Sequence, residues 1–151
     1  MRKSMTVFIA FAVLAAGGAA WADTTTVAVN ATVTPVCKFT ATGSISFVLD
    51  PSVGGNVPGT IAQPTFWCTK SVGYAINDDI GQHANGAVFR MQHATIPTEF
   101  IPYSFTYTAA GTGAGPSSSF TMDIASMVTG ADYASAAAGS YSDTVTLTIT
   151  P

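Results

Sequence analysis

Only 9% of this 151-residue chain is formally charged, and its five bases are outnumbered by eight acids, for a net charge of −3. Two of the bases, Arg2 and Lys3, stand at the extreme N-terminus, which leaves Lys38, Lys70 and Arg90 for everything else. That balance excludes nucleic acid and anionic membrane as partners, since both need basic patches. The abundant Thr, Ser, Ala and Gly predict instead a surface of small hydroxyl and amide groups.

Residues 1–22 read as an export signal rather than as fold. A basic start is followed by an almost wholly apolar run over 5–16, and Ala20-Trp21-Ala22 places small residues where a signal peptidase inspects the chain, so cleavage is expected after Ala22. The apolar run is short for a spanning helix, and no later stretch has the length and apolarity to be one. The rest of the chain is one domain's worth of sequence, enough for a single core.

The stretch Thr24 to Val36 alternates strictly. Val27, Val29, Ala31, Val33 and Pro35 fall on one side of an extended strand, and Ala28, Asn30, Thr32 and Thr34 on the other. Such a strand can pair within its own domain or act as an arm for another molecule's sheet. Cys37 comes directly after it, and Cys68 is the only other cysteine. In an exported chain a lone pair predicts one disulfide, and the spacing is far too wide for a CxxC-type metal or redox motif. Closing that loop stabilises the fold by roughly 3 to 4 kcal/mol in the chain-entropy account.

Short β segments with turn residues between them fill the remainder. Ile45, Phe47 and Leu49 alternate up to Asp50-Pro51, and the glycines and prolines of 54–59 make a loop. Thr60 to Thr69 carries Phe66 and Cys68 on one face, with Pro64 confining it to an edge or an irregular start. Further alternating sets are Val72, Tyr74 and Ile76; Ala87, Phe89 and Met91; and Ile101, Tyr103, Phe105 and Tyr107. Gly111 to Ser118 predicts a mobile surface loop, Phe120, Met122 and Ile124 a short strand, and 125–139 shows no assignable period. The chain closes on SYSDTVTLTIT, where Val145, Leu147 and Ile149 face one way and Thr144, Thr146, Thr148 and Thr150 the other. About eight short, evenly spaced strands predict an all-β sandwich or barrel whose two best strands are its ends.

ATVTPVCKFT, the second cysteine in FWCT and above all the terminal AGSYSDTVTLTIT resemble the spore coat protein U domain family, which includes subunits of archaic chaperone-usher pili. The resemblance implies an incomplete immunoglobulin-like β-sandwich completed by a donor strand from another chain. It implies a signal peptide over 1–22, a donor arm over 23–36 and a pilin-like domain over 37–151. Val27, Val29, Ala31 and Val33 would be the donor side chains, and Val145, Leu147 and Ile149 would lie in the strand bordering the acceptor groove. The implied partners are other copies or homologous pilus subunits, a periplasmic chaperone and an outer-membrane usher. The product is a cell-surface fibre that supports adhesion and biofilm formation, with no cofactor and no small-molecule substrate. The chain departs from the family at Pro151, which has no backbone donor.

Two other classes compete. An enzyme or metal site could be assembled from His83, His93, Asp78, Asp79 and Glu99, or from Arg90-Met91-Gln92-His93 as a copper ligand run, but no nucleophile elbow, HxxxH-type pair or phosphate loop organises them. A secreted surface-binding or coat module that does not polymerise would use exposed aromatics, with Trp67, Tyr133 and Tyr141 as candidates.

Overall fold

The first residue to be held by the sheet structure is Val36. Its carbonyl accepts the Thr69 N–H at 2.9 Å, and its own N–H donates to Thr69 Oγ1 at 3.0 Å. The structure, a computed structural model, describes residues 21–151. The expected export signal therefore lies, as far as Ala20, outside the described residues. Met1–Thr32 and Val33–Pro151 are separate units.

In the first unit and its continuation to Val36, no strand forms and every described residue is exposed. Val27, Val29 and Val33 are 81%, 89% and 78% accessible. The alternation predicts a strand here, and the structure shows a strand-compatible segment in no sheet.

In the second unit, β1 (Cys37–Ala41), β2 (Ser44–Ser46), β3 (Val57–Pro58), β4 (Thr60–Ala62), β5 (Thr65–Cys68) and β6 (Gly73–Asp78) make the first half. They are succeeded by β7 (Phe89–His93), β8 (Phe100–Thr106), β9 (Ala110–Thr112), β10 (Phe120–Thr121) and β11 (Ala125–Val128). A one-turn helix, α1 (Gly130–Tyr133), precedes β12 (Tyr141–Ser142) and β13 (Leu147–Thr150). Hydrogen bonding orders them as β1-β5-β10, β12-β7-β8-β11-β3, β13-β6-β9 and β2-β4. Every named pairing is antiparallel, and the architecture is an all-β sandwich.

Two apolar clusters fill it. The first gathers Phe66, Cys68, Ile76, Met122 and Ile124, with Phe39, Tyr74, Phe120, Leu147 and Ile149 against them. Phe66 stacks on Phe120 at 5.4 Å and meets the edge of Tyr74 at 5.1 Å, geometries that add to simple burial. Cys37 and Cys68 face each other across β1 and β5 and are joined as a disulfide. The second cluster is Ile101, Val128 and Tyr133, with Phe47, Leu49, Met91, Tyr103 and Tyr141 around it. β8 serves both, Ile101 pointing into the second and Phe105 packing on the first.

Three readings change. The stretch from Gly111 to Ser118 is not a free loop: Gly111 and Thr112 belong to β9, the Gly113 carbonyl accepts the Ser71 N–H at 2.9 Å, and the Gly115 N–H donates to the Cys68 carbonyl at 2.9 Å. Gly113 is required there because a Cβ would collide with the Thr69 carbonyl oxygen. Residues 125–139 supply β11 and α1, with Tyr133 only 1% exposed. The terminal strand is broken in two, since Tyr141 and Ser142 pair with β7 whereas Leu147 to Thr150 pair with β6.

Candidate functional site

That break in the terminal strand marks the most distinctive feature of the domain. Between Ser140 and Thr146 the even-numbered carbonyls turn inward: Ser140 accepts from the Ala94 N–H at 2.8 Å, Thr144 from Gln82 at 3.2 Å and Thr146 from Asp79 at 3.2 Å. Extended backbone alternates the direction of its polar groups, so those of Tyr141, Asp143, Val145 and Leu147 turn the other way. The strand is thus an edge. β2 is a second edge, paired only with β4.

Between these edges lie two adjoining cavities of about 440 and 580 Å³. Ile45, Phe47, Met91 and Tyr141 line both, so together they form one groove. Toward one end its walls are Ile61, Phe105, Ile124, Val145 and Leu147; toward the other they are Leu49, Ile101, Tyr133 and Ala136. A trench flanked by two strand edges is the shape left when a sandwich lacks one strand.

Ser44, Ser142 and Thr144 are among the polar residues of the lining, and one carboxylate stands in the wall. The Asp143 side chain is only 3% exposed, and its carboxylate accepts from the Gln82 N–H at 3.0 Å, the His83 N–H at 3.2 Å, His83 Nδ1 at 3.1 Å and the Tyr103 hydroxyl at 2.7 Å. Burial, then the hydrogen bond to Asp143, pushes the Tyr103 phenol well above its ordinary value. Gly81, at φ +82°, has to lack a side chain, because a Cβ would collide with Asp143 Oδ2.

His93 buttresses the other end. Its Nδ1 accepts the N–H groups of Thr95 and Ile96, both at 3.1 Å, which leaves Nε2 to donate to the Ala138 carbonyl at 3.2 Å. Its ring meets Tyr141 edge-on at 4.8 Å.

Several of the residues from which an enzyme or metal site could be assembled make structural contacts. Asp78 accepts from Ile80 N–H and the Tyr107 hydroxyl, Asp79 from Gly81 and Thr146 N–H, and the Arg90 guanidinium lies over Phe100 at 4.2 Å. Among the described residues no three His, Cys, Asp or Glu side chains are grouped to hold a metal. Of the aromatics expected at a binding surface, Tyr133 is buried with its hydroxyl donating to the Gly55 carbonyl at 2.9 Å, and Trp67 and Tyr141 are half-buried.

Val27, Val29, Ala31 and Val33, the expected donor side chains, are all exposed. Val145 and Leu147 line the groove. Ile149, two residues further along the same strand, packs with Leu147 against the first core. Phe47, Met91, Tyr103 and Tyr141 were not assigned to the groove by sequence reasoning. The alternation of Ile45, Phe47 and Leu49 indicates a strand, and nothing local says that its second edge has no neighbour.

A family model for the Spore Coat Protein U domain matches residues 23–148. No curated protein matches the chain. One similar solved structure is the CsuC-CsuE chaperone-tip adhesion subunit pre-assembly complex from archaic chaperone-usher Csu pili of Acinetobacter baumannii, with 19% identity and a TM-score of 0.46. The match covers 78% of this chain and 40% of that one, so this chain spans less than half of that relative's length. With the family model covering nearly all of the described residues, the chain belongs to the Spore Coat Protein U domain family.

Proposed function

We propose that this protein is a structural, non-enzymatic subunit of a secreted surface fibre, assembled by the chaperone-usher route through donor-strand complementation. The arm over 23–36 of one subunit fills the groove of the next. The observation that carries the reading is the groove itself, a trench between two strand edges that Ile45, Phe47, Met91, Val145 and Leu147 help to line, in a chain that also has an exposed arm of alternating valines. Family membership supports it.

The energetics suit a durable joint. Four inserted side chains at roughly 1 to 3 kcal/mol each, with several strand hydrogen bonds at about 1 kcal/mol net, reach on the order of 10 kcal/mol before ordering costs. A Thr- and Val-rich arm is already extended-prone, which keeps those costs moderate. An open trench of this kind also needs a cover before assembly, the role of a periplasmic chaperone, with an outer-membrane usher as the site of exchange. The segment 1–22 acts as the export signal, and adhesion and biofilm formation result from the fibre.

The test compares wild type with the double variant Val29→Asp, Val33→Asp, exported to a periplasm and examined by size-exclusion chromatography and electron microscopy. SDS-resistant ladders or fibres from wild type, with the variant arrested as monomer or chaperone complex, support strand donation. Stable soluble monomers from both would sink it and favour a coat or binding module that does not polymerise.

A further inference from the structure

Resting on strand donation as proposed above, we infer that Ala31 sets the register of the joint, lying over the Asp143 and Tyr103 side chains of the receiving copy. The inward positions of the acceptor edge are Tyr141, Asp143, Val145 and Leu147, three of them apolar-bodied and one a carboxylate. The inward positions of the arm are Val27, Val29, Ala31 and Val33, three valines and one residue with only a methyl group. Each set has a single exception, and the two exceptions must be placed.

An antiparallel alignment that uses all four positions sets Val27 against Leu147, Val29 against Val145, Ala31 against Asp143 and Val33 against Tyr141. The one small donor residue meets the one polar position. A parallel alignment sets Val29 over Asp143 and Ala31 over Val145, which presses a branched side chain on the carboxylate and leaves a gap above a valine. Sliding the antiparallel arm by two residues brings Val29 or Val33 to Asp143 and drives one donor position off the end of the groove.

The chemistry at Asp143 explains why a methyl fits there. Its carboxylate is already satisfied by four protein donors, from Gln82, His83 and Tyr103, so covering it strips away no essential hydration. The Tyr103 side chain reaches across to make one of those bonds and occupies the floor that an apolar pocket would need. On the exposed face the same register pairs Asn30 with Thr144, Thr32 with Ser142 and Thr34 with Ser140, all hydrogen-bonding side chains at cross-strand distance.

Cysteine pairs in the full-length exported chain read the register directly. Thr32→Cys is combined in turn with Ser142→Cys, Thr144→Cys and Thr146→Cys, and covalent ladders are scored on non-reducing gels after boiling. The expected result is ladders dominated by the Thr32→Cys, Ser142→Cys pair. Dominance of the Thr146→Cys pair would make the joint parallel, and dominance of the Thr144→Cys pair would shift it by two residues; either overturns the inference. Polymers with no cross-link from any pair overturn it while leaving polymerisation standing, whereas absence of polymers from wild type overturns both readings. A second comparison uses arm variants alone, where folding of the receiving domain is not at stake. Ala31→Leu should cut polymer yield about tenfold or more and Val29→Leu by no more than about twofold; equal losses would count against Ala31.

Discussion

The arm over 24–36 and the terminal segment over 141–150 have the same kind of sequence and opposite fates. Both alternate apolar and small polar residues, with threonine prominent in each. In the terminal segment, Val145, Leu147 and Ile149 are half-buried, because β7 and β6 offer edges to pair with. In the arm, the valines stay exposed and no strand forms. Alternation therefore encodes a two-faced strand, and whether it becomes one is decided by an edge elsewhere. The terminal segment is part of its own subunit's sheets, and under the proposed strand donation the arm would stabilise the subunit that receives it.

The strongest test of where that boundary falls uses the disulfide. Replacing both Cys37 and Cys68 by Ser should lower the unfolding free energy by about 3 kcal/mol in urea titrations, since the bridge ties the first strand after the arm to the centre of its sheet. Deleting 23–34 should leave the same titration unchanged while abolishing polymers. An arm deletion as costly as loss of the disulfide would break the comparison.

A smaller effect separates the two segments residue by residue. Leu147→Ala with Ile149→Ala removes half-buried side chains from the first core and should cost roughly 2 to 3 kcal/mol in the isolated subunit. Val27→Ala with Val29→Ala, at exposed positions, should stay within about 0.5 kcal/mol. The order should reverse when the readout is polymer yield, where the valine pair carries the larger penalty.

Legibility in the sequence divides along the same line. Ile101, Tyr103 and Phe105 fall in β8, with Tyr107 just beyond its end, and Pro64 did interrupt its stretch, separating β4 from β5. Local period and backbone chemistry suffice for such features. Non-local pairing was hidden: the Gln63 side chain bonds both the N–H and the carbonyl of Ile124, at 3.0 and 2.7 Å, and nothing near Gln63 announces it. Tyr133 looked like a surface aromatic because its neighbours are small, yet the Gly55 carbonyl and the second core enclose it. The groove was legible only as an open edge beside the terminal strand. Its floor comes from Met91 and Tyr103, on strands whose own alternation says only that they are buried on one side.

The finest distinction between the two segments is their response to acid. Asp79 Oδ1 accepts the N–H of Thr146 at 2.9 Å and that of Gly81 at 3.0 Å, and these bonds, the Thr146 one foremost, hold its carboxyl below the usual carboxylate range. A carboxyl whose folded value is depressed adds stability that is present above about pH 4, its unfolded value, and is lost as pH falls through the folded one. Asp79 is exposed, so solvent screens the contribution and the effect is modest. Asp79→Asn should therefore leave a subunit slightly less stable at pH 6, whose urea midpoint declines less steeply than that of wild type between about pH 5 and pH 3. The arm has no titratable side chain between Thr24 and Thr34. Deleting those residues should leave the acid slope of the subunit where it was; a flatter slope would mean that the arm, like the terminal segment, is already part of the fold it leaves.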